Sequence, residues 1–423
     1  MEEIAKIFSM ALPIFLFIVI AEKLYGNFKG NDTVPIMDAI SSSYSGISLV
    51  IRALFGFGLS IVSYDFMYRH LAIIHIETTW LVYVVTFIVL DFEFYWGHRL
   101  SHQINLLWNG HLIHHNSEEY NLATSIRQPF IAAINFLFFL PIPAAILGLS
   151  PMVIAMVLPI HKFSQVWYHT RLIGKLGFLE YFIVTPSQHR VHHSLNPIYL
   201  DKNFSAIFNV WDRMFGTFQA ELESEPPVYG ITRPSQTYNT ITINVEHLLL
   251  LIKDAWRAEK WMDKLTIWFR PTGWRPDGFE EKHPVKKITN HYNMEKFNPP
   301  ASKALVYWSC IQFLVMFVFV TYILSHISLI GFTGVIIFSV YIFVQVFSAT
   351  ELMNRNKWAP LHSFISTLVC FAIYFFDSSW FGMSSVSDLF PFVFLVYFFL
   401  QTILAFTFSK KAHEFSFAKM QGR

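Results

Sequence analysis

Long apolar stretches separated by short polar ones run through most of the chain. A helix that crosses a bilayer needs roughly 20 mostly apolar residues. Nine stretches approach or reach that length: 7–25, 46–67, 78–96, 129–149, 151–167, 304–324, 329–349, 360–381 and 390–408. The pair 129–149 and 151–167 is the weakest, because Pro141, Pro143 and Pro159 interrupt it. It reads as a bent hairpin that stops short of a full crossing. The pattern predicts an all-α integral membrane protein, a multi-span helical bundle with about nine spans. Residues 169–303 form a polar interruption rich in turn signals, among them ESEPPVYGITRPSQ and RPTGWRPDGFEEKHP. Between them, EHLLLLIKDAWRAEKWMDKLTIWFR mixes apolar and charged residues with tryptophans. That composition suits a helix lying in the membrane interface, or equally an amphipathic helix packed on its own domain.

Composition agrees with a bilayer as the solvent. Apolar residues make up 54% of the chain and charged ones 14%, against about 45–50% and about 25% in soluble domains. The net charge of +2 and the lack of a basic stripe speak against a nucleic acid partner. Cys310 and Cys370 lie in apolar runs and suit packing better than a disulfide framework or a thiolate metal site. The first residues lack a basic n-region and read as a retained anchor. Nine spans with an inside C-terminus leave only Lys6 and Arg69 in the outer segments, while Arg99, Arg127, Lys357 and the whole basic segment 169–303 fall inside. The positive-inside bias therefore puts the polar segment on the cytoplasmic face, which means the endoplasmic reticulum in a eukaryote and the inner membrane in a bacterium.

The candidate chemistry lies in the histidines. His98 and His102 are spaced i, i+4 and share one helix face. His111, His114 and His115 follow at i, i+3, i+4, and His189, His192 and His193 repeat that spacing in QHRVHH. His169 stands alone where the fifth apolar run ends. Buried imidazoles cost free energy unless partnered, and ligation offsets that cost. Nine imidazoles are too many for one ion, since zinc takes four ligands; two ions sharing them is the natural count. Imidazole also suits zinc or copper, but a dinuclear iron centre explains the set best. Asp91, seven residues before His98, falls on about the same helix face and is expected to orient a ligating imidazole. His161 reads as a hydrogen-bonded residue at a membrane edge, and Glu118 and Glu119 as solvated.

These motifs, H-x-x-x-H and two H-x-x-H-H beside apolar spans, resemble the fatty acid hydroxylase/sterol desaturase superfamily of membrane diiron oxygenases. GHLIHHNSEEYNLATSIRQ, TPSQHRVHHSLNPIYLDKNFSAIFNVWDRMFGTFQAE and VYGITRPS resemble its alkylglycerol monooxygenase branch over residues of about 80 to 275. The resemblance implies two iron ions, O2 as co-substrate and tetrahydrobiopterin as reductant. It also implies hydroxylation of the carbon beside the ether oxygen of a glycerol ether, whose product collapses to an aldehyde and a glycerol derivative. It assigns metal-ligand and catalytic roles to His98, His102, His111, His114, His115, His189, His192 and His193, with His169 as the additional histidine. Gln103 stands where the alkylglycerol branch has an acidic residue.

The expected organisation is an N-terminal pair of anchor helices over 1–77, a His-rich core with a cytosolic cap over 78–303, and C-terminal membrane helices over 304–423. Two other functions remain open. One is a sterol or fatty-acyl hydroxylase or desaturase fed by a separate redox partner, as the chain has no haem or flavin fingerprint of its own. The other is a metal transporter, which histidines at span ends disfavour because transport sites lie near the bilayer midplane.

Overall fold

The computed structural model describes residues 2–130 and 141–420, with side chains apart from those of 2–4, 55–61 and 410–420. No strand occurs among them, only three isolated bridges such as Ile104 to Pro271. The helices that build the bundle and the site, in chain order, begin with α1 (Glu2–Phe28), α2 (Ile36–Leu71), α3 (Trp80–Gln103) and α4 (Pro151–Phe163). They continue with α5 (Pro186–His192), α6 (Thr240–Arg257), α7 (Lys303–Ser325), α8 (Ile327–Met353), α9 (Ala359–Phe376) and α10 (Phe390–Met420).

Among the described residues, six helices are long and apolar enough to cross a membrane: α1 from Ala5, α3, α7, α8, α9 and α10 to Ser409. The 46–67 run lies inside α2, whose 36 residues extend roughly 54 Å at 1.5 Å per residue. The 151–167 run does not span. Helix α4 ends at Phe163 after 13 residues, roughly 20 Å against a hydrocarbon core of about 30 Å. The middle of the 129–149 run lies outside the described residues. Nine spans is therefore an approximate count.

Local sequence explains where these helices begin. Ser302 caps α7 by accepting from Leu305 N at 3.2 Å, and Asn239 caps α6 by accepting from Ile241 N and Thr242 N. Pro186 opens α5 behind a Thr185–Gln188 capping box. One buried cluster, with Tyr44, Phe319, Phe338, Trp380 and Phe398, ties α2 to α7, α8 and α10. A second, with Tyr64, Leu90, Val153 and Val157, packs α2, α3 and α4. Cys310 and Cys370 are free thiols.

The amphipathic stretch is not one helix. It breaks at Ala258 (ψ 135°) and resumes as the short turn Trp261–Thr266. Its buried face carries His247, Leu251 and Asp254, the last paired with Arg275 at 2.6 Å. Its other face exposes Trp256 and Trp261, 84% and 76% accessible. One face thus packs on the cap, as the second of the two sequence readings has it. The other presents the tryptophans an interfacial helix uses.

Candidate metal centre

The site is built where the end of α3 meets the polar cap. Helix α3 delivers His98 and His102, the segment around the short helix Leu112–His115 delivers His111, His114 and His115, and α5 and its C-terminal residue deliver His189, His192 and His193. His169 arrives on the turn after α4. All nine come together in two adjoining groups. His98, His102, His111, His115 and His192 form one, and His114, His169, His189 and His193 the other, with the ligand atoms in each lying within 4.8 Å of one another. The adjacent pairs split between the groups, and the His115 and His193 rings stack across the boundary at 4.2 Å.

The spacing within each group fits a bound ion. The Nε2 atoms of His98 and His111 lie 2.9 Å apart and those of His111 and His115 3.0 Å. In the second group His169 to His189 is 3.0 Å, His189 to His193 3.1 Å and His114 to His169 3.3 Å. Two ligand nitrogens on one ion, with bonds of about 2.1 Å, sit ~3.0 Å apart at a right angle and ~3.4 Å apart at a tetrahedral angle. Most of these separations match the right angle, and five imidazoles exceed the four ligands of a zinc site. Backbone carbonyls fix the tautomers. Phe204 O takes His98 Nδ1 at 2.7 Å, Lys202 O takes His192 Nδ1 at 2.9 Å and Gln165 O takes His169 Nδ1 at 3.0 Å. Each such bond holds the proton on Nδ1 and leaves the Nε2 lone pair free for a metal. The buried Nε2 atoms of His102 and His192 have no hydrogen-bond partner, an arrangement that a bound metal would satisfy.

The loop 201–204 supplies two of the orienting carbonyls. Asp201 and Asn203 both adopt φ 56°, a left-handed conformation that Asp and Asn accept more readily than other side chains. Asp212 clamps the loop by accepting from Phe204 N at 2.8 Å and Ser205 N at 2.9 Å. Arg190, between His189 and His192 of the cluster, pairs with Glu221 at 2.7 Å and donates to Ile173 O at 2.7 Å, which fixes α5. Arg127, only 2% exposed, donates to Ile113 O behind His114. Sequence reading missed all three, since a lone Asp or Arg near a turn carries no spacing signal. The insertion of Arg190 inside QHRVHH was the one available hint.

Asp91 reaches none of the nine. Its fully buried carboxylate accepts from His161 Nε2 at 2.8 Å, Ile207 N at 2.9 Å, Phe208 N at 3.0 Å and Trp211 Nε1 at 2.8 Å. His161 is wholly buried and touches Gln165 Nε2 at 3.1 Å, and Gln165 O in turn holds His169. Asp91 therefore connects to the centre at one remove. Gln103 is exposed, and its carbonyl accepts from Thr272 N at 3.1 Å. Glu118 and Glu119 are not solvated. Phe297 N donates to Glu118, and Glu119 pairs with Arg171 at 2.8 Å and Lys296 at 2.6 Å.

Burial pushes the imidazoles of His111, His114, His115, His169, His189, His192 and His193 below their usual range, His169 to about 3. In all but His169 the neighbouring imidazoles add to the effect. They are neutral at physiological pH, the state a metal requires. An unfolded histidine titrates near about 6.5. Below that value the unfolded chain binds protons that the folded one refuses, so acid favours unfolding. The metal-free protein should melt at a lower temperature at pH 5 than at pH 7.5. Equal midpoints in a thermal scan in detergent would contradict this assignment.

The fatty acid hydroxylase family model matches residues 83–217, which contain every one of the nine histidines. The chain is 28% identical to human alkylglycerol monooxygenase over 94% of its own length and 88% of that protein. Against the alkylglycerol monooxygenase of Danio rerio the identity is 30%, covering 84% of this chain and 79% of the relative. An ornithine lipid hydroxylase of Rhizobium tropici is 28% identical over 38% of this chain and 45% of its own. No solved structure matches. With the relatives aligned along most of the chain and the family motif coinciding with the paired histidine groups, this protein belongs to the alkylglycerol monooxygenase family of fatty acid hydroxylases and is a multi-pass membrane monooxygenase.

Proposed function

We propose that the nine histidines hold two iron ions and that the protein hydroxylates the ether-bearing carbon of an alkylglycerol, using O2 and a tetrahydropterin. The convergence of the imidazoles into two adjoining groups carries this reading. Bound iron supplies the activation of O2 that no side chain can provide. The chain's own part is to present unprotonated Nε2 atoms, to fix them through the Gln165, Lys202 and Phe204 carbonyls and to hold most of the imidazoles out of solvent. The balance is closed. One oxygen atom enters the C–H bond, and the other leaves as water with two electrons and two protons from the tetrahydropterin. The hemiacetal so formed then splits its C–O bond to give an aldehyde and a glycerol.

Within this reading residues 78–303 carry the chemistry, while 1–77 and 304–423 anchor it. The cytoplasmic face is favoured by the Lys/Arg bias. Withdrawing the 129–149 and 151–167 pair from the spans removes two crossings and leaves that orientation unchanged.

The test is purified full-length protein with its iron counted and an alkylglycerol supplied in air, with and without tetrahydrobiopterin. Two irons per chain and fatty aldehyde only in the presence of pterin are expected. Iron without pterin stimulation favours an acyl or sterol hydroxylase fed by a redox protein. Absence of iron overturns both.

A further inference from the structure

A cavity of ≈ 360 Å³ is walled in part by Asn116 and Ser117, the two residues that follow His114 and His115 in the chain. Its other walls come from the start of α2 (Asp38), from Tyr238 and Phe297 of the cap, and from Val306 of α7. This is within the size range of small-ligand sites, about 300–1,000 Å³. Most of its lining side chains are polar, and many of them, residues 116–119 and 236–238 among them, come from loops. Charged and polar groups at this density suit a small polar ligand better than a long alkyl chain.

The charge pattern narrows the occupant. Each cation in the wall already has its carboxylate: Lys23 with Asp32 at 2.6 Å, Arg127 with Asp38 at 3.6 Å, and Lys296 with Glu119 at 2.6 Å. Glu118 is the carboxylate left over. It has no ion pair among the described residues, and one of its oxygens accepts from Phe297 N. A phosphate would meet surplus negative charge here, whereas a ligand with paired N–H donors would meet a carboxylate able to accept both. Asn116, 8% exposed, contributes a buried Oδ1 with no hydrogen-bond partner. The Tyr238 and Phe297 rings, 5.0 Å apart and packed edge to face, offer the cavity one aromatic face for a flat ring to stack on.

We propose that this cavity seats the reduced pterin, with Glu118 accepting the adjacent N–H groups of its amino-oxopyrimidine ring and Asn116 accepting a further donor. The proposal rests on the pterin-dependent reading above. It places the two-electron donor against Asn116 and Ser117, on the segment that continues from His114 and His115. The donor gives up two electrons and two protons and leaves as the dihydropterin.

The test is anaerobic binding of tetrahydrobiopterin to the iron-loaded full chain, read by quenching of tryptophan fluorescence. Glu118→Gln should weaken binding at least tenfold, and Val306→Phe, which fills the cavity from the α7 side, should abolish it. Iron per chain should match wild type in both. Wild-type affinity in both variants, with turnover still requiring pterin, overturns the cavity and spares the pterin reading. A wild-type protein that neither binds the pterin nor is stimulated by it overturns that reading, and this site with it.

Discussion

Replacing His189 with alanine is expected to leave a folded, inserted chain that carries roughly half its iron and turns over substrate more than ~100-fold more slowly, beyond the 10–100-fold cost of losing a supporting residue. His189 is the hub of the second group, its Nε2 3.0 Å from that of His169 and 3.1 Å from that of His193. Without it three imidazoles remain there, and the five of the first group are untouched. Helix α5 should survive, because its capping box and the Arg190–Glu221 pair do not involve the lost ring. Elemental analysis beside an aldehyde assay decides the matter. Full turnover by His189→Ala would discard the metal reading altogether.

The second large effect is expected at Asp91. An asparagine there keeps the shape but replaces one acceptor oxygen with an N–H2 group facing buried donors. Three of the four donors, Ile207 N, Phe208 N and Trp211 Nε1, can only donate. Leaving a buried donor without its acceptor costs about 1–3 kcal/mol, so the thermal midpoint should fall by several degrees. The loss should also loosen His161 and, through Gln165, His169. Iron affinity in Asp91→Asn is therefore expected to drop about tenfold, measured by chelator competition. A lower midpoint with unchanged iron affinity would make Asp91 a purely structural residue.

The histidines were legible because helical spacing is a local property. His98 and His102 share a face of α3 whatever surrounds it, and the two H-x-x-H-H runs announce themselves in the same way. The division of each His-His pair between two groups was not legible, since it depends on how the segment around Leu112–His115 meets α5 across some 75 residues of chain. Asp91 shows the limit of face-sharing. Seven residues along a helix is a separation of roughly 10 Å, too far for a carboxylate to reach His98, and its partner came instead from α4. Glu118 and Glu119 follow the second histidine cluster and read as solvated, yet partners near residue 296 fold over them. The 151–167 run has the composition of a span but not the length. The aim of α4 is to bury Val153, Val157 and His161 against α3, so hydropathy alone overstates the bundle.

The split of the histidines sets an order of events during biogenesis. Neither group is complete until the ribosome has moved well past residue 193, yet α3 enters the bilayer long before. His98 and His102 must therefore wait as bare imidazoles at the membrane edge until α5 is made and Asp212 has drawn in the loop that holds Phe204 and Lys202. On the two-iron reading, iron delivery is thus a late step, and a nascent chain truncated before that loop would anchor in the membrane without binding its metal.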